Sequence, residues 1–170
     1  MWSFRTISFL AVLGLLGACG FRPLYGDRAA GGTPSELAMI KVEAIPDRIG
    51  QQLHNKLLTG LNPRGRPRKP RYLLKTLVKE SATSLAVRKS SFATRANLTV
   101  NAEYSLNTPV SGKTLFAAKS SITVSYNILD SEFATLMAEK DARARAIREV
   151  SEDIRIRLSV FLSHRQDQEK

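Results

Sequence analysis

The sequence predicts an α+β fold: a two-layer sandwich in which a four-stranded mixed or antiparallel sheet carries two helices on one face, in the order β-α-β-β-β-α. Three observations carry this expectation. Residues 96–106 alternate apolar and polar side chains with period two, the mark of a strand with one dry and one wet face. Ile49, Leu53, Leu57 and Leu61 recur every four residues, which gives a helix with a narrow apolar stripe. A second helical spacing closes the chain, and a narrow stripe of this kind needs a flat partner such as a sheet face.

Taken from the amino terminus, residues 1–18 read as a leader. Arg5 and the free amine supply a positive start, and Ile7 to Leu16 is an apolar run too short to span a bilayer. Leu16-Gly17-Ala18-Cys19 follows, with small residues before the single cysteine of the chain. The pattern resembles a lipobox, so cleavage before Cys19 and acylation of its thiol are expected, and several acyl chains anchor stably where one binds only marginally. Gly20, rather than an aspartate, then fits sorting to the outer membrane. The alternative is an ordinary cleaved leader with Cys19 as a chance thiol. One cysteine excludes an intramolecular disulfide.

Residues 19–36 hold the acylated cysteine and a tether rich in Gly and small polar residues, residues 37–165 a single domain, and residues 166–170 a polar tail. Ile40, Val42 and Ala44 alternate with Lys41 and Glu43, which predicts a first strand over residues 38–45. Pro46-Asp47 offers a helix start, and Gly60 lies near the expected stop. The loop to Pro70 contains three prolines beside Arg64, Arg66, Arg68 and Lys69, so regular structure is excluded there.

Tyr72, Leu74, Thr76 and Val78 alternate with Lys75 and Lys79, but Leu73 and Leu77 blur the pattern and suggest a second strand covered on both sides. The phase falters between Glu80 and Ser84, as at a bulge, and Arg88 to Ser91 reads as a turn. The third strand puts Ala96, Leu98, Val100, Ala102, Tyr104 and Leu106 on one face. Pro109 and Gly112 mark the next connection, and Phe116, Ala118, Ile122, Val124 and Tyr126 continue the alternation. Asp130 or Ser131 caps the second helix, in which Phe133, Met137, Ala144, Ile147, Ile154, Leu158 and Phe161 keep helical spacing to about His164.

Chemistry-bearing patterns are sparse. Neither His54 nor His164 has a metal-ligand or catalytic spacing, and no nucleophile elbow or phosphate-binding glycine loop occurs. We therefore expect no catalytic residues, no metal, no cofactor and no enzymatic activity; a hydrolase built on Glu103 or Glu132 has no spacing to recommend it. Charge is the stronger signal: 26 Lys and Arg against 15 Asp and Glu give +11, or +10 once Arg5 leaves with the leader. Such a surface favours an anionic partner: nucleic acid, an anionic membrane or a phosphorylated glycolipid. An exported, lipid-anchored protein does not meet nucleic acid. The loop from Arg64 to Arg71 is either a solvated loop or a phosphate contact, and Arg88, Lys89 and Arg95 form a second cluster around a strand turn. Acids and bases on the second helix read mainly as a solvated face laced by pairs three and four apart.

Cys19-Gly20-Phe21-Arg22-Pro23-Leu24-Tyr25-Gly26 resembles the start of the lipopolysaccharide-assembly lipoproteins called LptE, in their alphaproteobacterial form. The resemblance extends loosely over the whole chain through the order of elements. It implies a non-enzymatic lipoprotein on the periplasmic face of the outer membrane. Its implied partners are an LptD-like outer-membrane β-barrel and lipopolysaccharide. It also implies basic ligand contacts near a strand turn and the long helix, which points to Arg88, Lys89 and Lys140; the arginine-rich loop departs from the family's pattern. The alternative is an accessory lipoprotein of another envelope lipid-transport complex.

One outcome follows directly. Labelled palmitate should enter the wild-type protein in membranes, whereas Cys19→Ala should carry no label and appear in the periplasmic fluid; unlabelled wild type would contradict the anchor.

Overall fold

A computed structural model of the chain describes residues 36–87 and 93–168. Its elements are β1 (Ile40–Val42), α1 (Asp47–Leu61), β2 (Tyr72–Val87), β3 (Ala93–Asn107), β4 (Thr114–Asn127) and α2 (Glu132–Gln168). The strands lie in the order β1-β2-β3-β4. β1 runs parallel to β2, and the other two pairings are antiparallel, so the sheet is mixed. Both the α+β class and the element order are as the sequence predicts.

The period of two in β3 sets the layers. Ala96, Leu98, Val100, Ala102, Tyr104 and Leu106 are buried beneath the helices, while Arg95, Asn101 and Glu103 are exposed on the other side. Register carries the same division into β4, where Leu106 faces Phe116, Val100 faces Ile122 and Ala96 faces Tyr126. Leu53, Leu57 and Leu61 of α1 join Ile147, Ile154, Leu158 and Leu162 of α2 and the sheet residues in one core. Burying a Leu or Ile stabilises the fold by about 1.5–3 kcal/mol relative to leaving it exposed, so these side chains dominate the packing.

Several boundaries differ from the expectation. β1 is only three residues long, because the chain turns away after Val42: Ala44 is exposed and Ile45 is buried instead. This short edge is held by polar ties. Asn62 donates from Nδ2 to the carbonyls of Ala38 and Ile40, each at 3.1 Å, and the amide of Glu43 donates to Leu74 O at 3.0 Å. His54 Nδ1 lies 2.9 Å from Glu43 O, and only a protonated nitrogen can bond there, so this histidine is a structural donor.

The irregularity anticipated at 80–84 falls later in β2, in register shifts between Ser84, Ala86 and Val87. β2 is also not covered on both sides, since Lys75 and Lys79 are exposed and Leu77 is 49% exposed. Ser131 caps α2 as expected: its Oγ accepts from the amide of Ala134, the third helical residue, at 3.4 Å. The helix continues past His164 to Gln168. α1 ends at Leu61, one residue past Gly60, as expected. The bare Cα of Gly60 also lets Arg155 of α2 approach, and a Cβ there would stand 3.4 Å from Arg155 Cδ.

The two glycines of α1 should thus respond oppositely to alanine. At Gly50 a Cβ would lie 2.7 Å from Ile45 Cγ2 and 3.0 Å from its carbonyl, so Gly50→Ala should destabilise by about 1–3 kcal/mol. Gly60→Ala meets only a flexible side chain and should be neutral or stabilise by up to ~1 kcal/mol through helix propensity. Denaturant unfolding of both variants measures this.

Candidate functional site

The architecture has two ends, and the basic residues divide between them. β2 begins at the loop end, beside the connection from Asn62 to Arg71 and the turn from β3 to β4, and finishes at the opposite end, where the chain passes from β2 to β3, here called the hairpin end; its 16 residues span ~50 Å. The arginine-rich loop and the cluster around Arg95 are therefore too far apart to grip one headgroup.

At the loop end, Arg71 is committed to the fold. Its Nη1 donates to Glu36 Oε1 at 2.7 Å, and Tyr72 donates its hydroxyl to Glu36 Oε2 at 3.0 Å. Glu36 is buried, so both bonds are needed to offset its desolvation. Arg66, Arg68 and Lys69 are exposed. Lys113, Thr114, Leu115, Phe161, His164, Arg165 and Gln168 line a shallow concavity at the same end.

At the hairpin end, Arg95 lies opposite Asn127 and is exposed on the sheet side away from the helices. Lys140 is exposed on α2 and makes no ion pair among the described residues. Arg143, one turn further along, is held between two elements. Its Nε donates to Glu80 of β2 at 2.7 Å and its Nη2 to Glu139 at 2.6 Å. These bonds, the Glu80 one above all, push the Arg143 pKa up. Arg143 is thereby a tie between layers, and Lys140 beside it is left with its charge uncommitted. Arg95 and Lys140 thus share one end of the molecule, one in each layer. Cys19, Arg88 and Lys89 lie outside the described residues.

The hairpin end also carries exposed apolar side chains, among them Phe133, Met137 and Ala144 of the predicted helical spacing. Phe133 is 72% exposed and Leu136 60%, and Met137, Leu129 and Ala144 are exposed as well. The cause is length. α1 has 15 residues and α2 has 37, so α1 spans ~22 Å beside a helix of ~55 Å. Beyond α1 the helix layer is one helix wide, and the helix-side residues Ala82 and Ser84 of β2 are exposed too. Beyond the end of α1, Ala142 and Ala146 keep α2 buried against the sheet, whereas Phe133, Leu136 and Met137 are left exposed. Charge and spacing alone could not reveal this, because it depends on where the shorter helix ends.

The sheet side away from the helices is polar. Thr99 bonds Thr123 at 2.9 Å, Ser121 donates to Asn101 at 2.7 Å, and Ser125 donates to Asn97 at 2.6 Å. Lys119 pairs with Glu103 at 2.5 Å, and this bond lowers the Glu103 pKa. Lys75, Leu77, Glu103, Ser105, Ala117 and Lys119 border an open concavity of about 600 Å³. Lys75 and Lys79 are cations on this face that the sequence reading did not single out, although their alternation with Leu74 and Val78 signals it.

Among the described residues no three His, Cys, Asp or Glu side chains stand close enough to hold a metal ion. No described helix is long and apolar enough to cross a membrane. Burial pushes the Tyr104 pKa up to about 12, and its hydroxyl has no hydrogen-bond partner among the described residues. That hydroxyl faces α2 inside the core, where Tyr104 packs on Phe116 and Phe116 stacks on Phe161 at 4.9 Å.

Known proteins share this arrangement. The family model described as LptE, lipopolysaccharide-assembly, matches residues 37–158. A candidate lipoprotein of Caulobacter crescentus superposes with a TM-score of 0.63 at 23% identity, over 79% of this chain and 98% of that one. Rare lipoprotein B of Shewanella oneidensis gives 0.56 at 12% identity, over 77% and 98%. A minor lipoprotein of Acinetobacter baumannii gives 0.54 at 14% identity, over 71% and 91%. At these identities the structures demonstrate a common fold. No curated protein sequence matches the chain.

Tyr104→Phe provides a test of the core reading. Removing a buried hydroxyl without a partner should leave stability unchanged or raise it by about 1 kcal/mol at pH 7. The folded-state pKa lies above the unfolded value of 10, so the wild type should lose stability as pH rises from 10 toward 12 and the variant should lose less. Unfolding curves at pH 7 and pH 11 read both effects.

Proposed function

The chain belongs to the LptE family of lipopolysaccharide assembly, and from that premise we propose that it is an outer-membrane lipoprotein, anchored through Cys19 and facing the periplasm, that partners an LptD-like β-barrel in delivering lipopolysaccharide. Its role is to bind and position, without catalysis. The observation that carries this reading is the family match over residues 37–158, on a domain whose hairpin end joins uncommitted cations to exposed apolar side chains.

Lipopolysaccharide is an anionic amphiphile, and the hairpin end offers both halves of what recognises one. Arg95 and Lys140 supply positive charge for phosphate or carboxylate groups, with Arg88 and Lys89 adjacent in sequence to Arg95's strand. Arginine adds bidentate hydrogen bonds to its charge. Leu129, Phe133, Leu136 and Met137 supply apolar surface for acyl chains. Arg143 contributes indirectly, by fixing α2 against β2 at the level of Lys140.

Two experiments test the reading. Gentle detergent solubilisation of membranes should recover the chain with a large β-barrel, and recovery of the chain alone would contradict the partnership. Arg95→Glu and Lys140→Glu change exposed side chains, so thermal unfolding should not move. Lipopolysaccharide binding by the purified protein should weaken about tenfold or more for each variant, the loss of one charge-assisted hydrogen bond. Equal binding by wild type and variants would remove these residues from the site.

A further inference from the structure

The sheet has two edges beyond β1, and they are built differently. β1 covers β2 only as far as Leu74, so β2 runs without an outer neighbour from Lys75 onward. That stretch carries Lys75, Lys79 and Glu80 and ends in register shifts between Ser84, Ala86 and Val87. Charges and bulges of this kind keep other strands from adding to an edge. β4 is the other edge, and among the described residues no strand pairs with its outer side. From Phe116 to Asn127 it pairs with β3 residue for residue, with no register shift. It contains no proline and no glycine, and Lys119, already bonded to Glu103, is its only charge. Ile122, Thr123, Val124 and Tyr126 give it high strand propensity. In an antiparallel pair alternate residues turn both main-chain groups outward, so about six residues of β4 present unpaired donors and acceptors.

We propose that the outer edge of β4 is a strand-addition surface that takes an extended segment of a partner polypeptide, one carrying acidic side chains. The unpaired main chain sets the backbone chemistry, since only another extended backbone matches alternating donors and acceptors at strand spacing. Charge sets the side chains. Lys113 immediately precedes the strand, exposed and in no ion pair among the described residues. The whole chain carries +11, so a second copy would bring like charge to this edge and an acidic segment would neutralise it. The inference rests on the proposed role of the chain as a subunit of an envelope complex.

Hydrogen exchange of the amides from Phe116 to Asn127, measured on the wild-type protein alone and in the complex purified from membranes, tests this. Alternate β4 amides should exchange rapidly in the free protein and slow at least tenfold in the complex, with Lys75–Val87 unchanged. A complex that contains the β-barrel but leaves the β4 amides fast overturns this inference and not the proposed function. Recovery of the chain without any partner overturns both. Protection that grows with protein concentration in the isolated chain would identify a second copy as the occupant and overturn the proposal. The double variant Ser121→Lys, Thr123→Lys alters two exposed positions of the edge. It should unfold within a few degrees of wild type yet lose the protection in the membrane complex; retained protection in a folded variant would contradict strand addition.

Discussion

The feature on which the rest of the structure depends is an inequality of helix lengths above one sheet. Fifteen residues of α1 lie beside thirty-seven of α2, and they seal only the half of the core near the loop end. There, Leu53, Leu57 and Leu61 meet Ile154, Leu158 and Leu162 over Leu74 and Leu106, all almost fully buried. Toward the hairpin end α2 still rests on the sheet through Ala142 and Ala146 but has no second helix beside it, and Phe133, Leu136 and Met137 remain in contact with water. A buried layer and an amphipathic surface are thus successive stretches of one helix.

Along this stretch a charged tie adds to the packing of Ala142 and Ala146. Arg143 bridges Glu80 and Glu139, and partial burial protects this network from the full screening that weakens exposed pairs. Closer to α1, Arg155 is buried and bonds Glu152 through two nitrogens, at 2.9 and 2.5 Å, while its stem fills the space left by Gly60. These charged residues do structural work, and that separates them from Arg95 and Lys140, whose charges face solvent.

The sheet and both helices were legible in the sequence because β3 alternates without interruption and α1 repeats every fourth residue. Ala44 misled, since alternation continues past the point where the backbone leaves the sheet. Gly60 marked the end of α1 to within one residue, but its second use, the close approach of Arg155, depends on a partner distant in sequence. The spacing of Phe133, Met137 and Ala144 was read correctly as helical, but period reports a face and not what covers it, so their exposure was not legible. Of the proposed site, Arg95 was singled out through charge and Lys140 through family resemblance. The apolar half was missed because it arises from the end of α1, a tertiary fact.

The proposed function places an anionic amphiphile across the exposed apolar side chains at the start of α2. A photoreactive residue placed at Leu136 in living cells, with one at exposed Lys56 of α1 as control, reads this contact directly. The account predicts a lipopolysaccharide adduct at position 136 and none at 56. Equal labelling at both positions, or an absence of adduct at 136 in a protein that is correctly anchored, would contradict it.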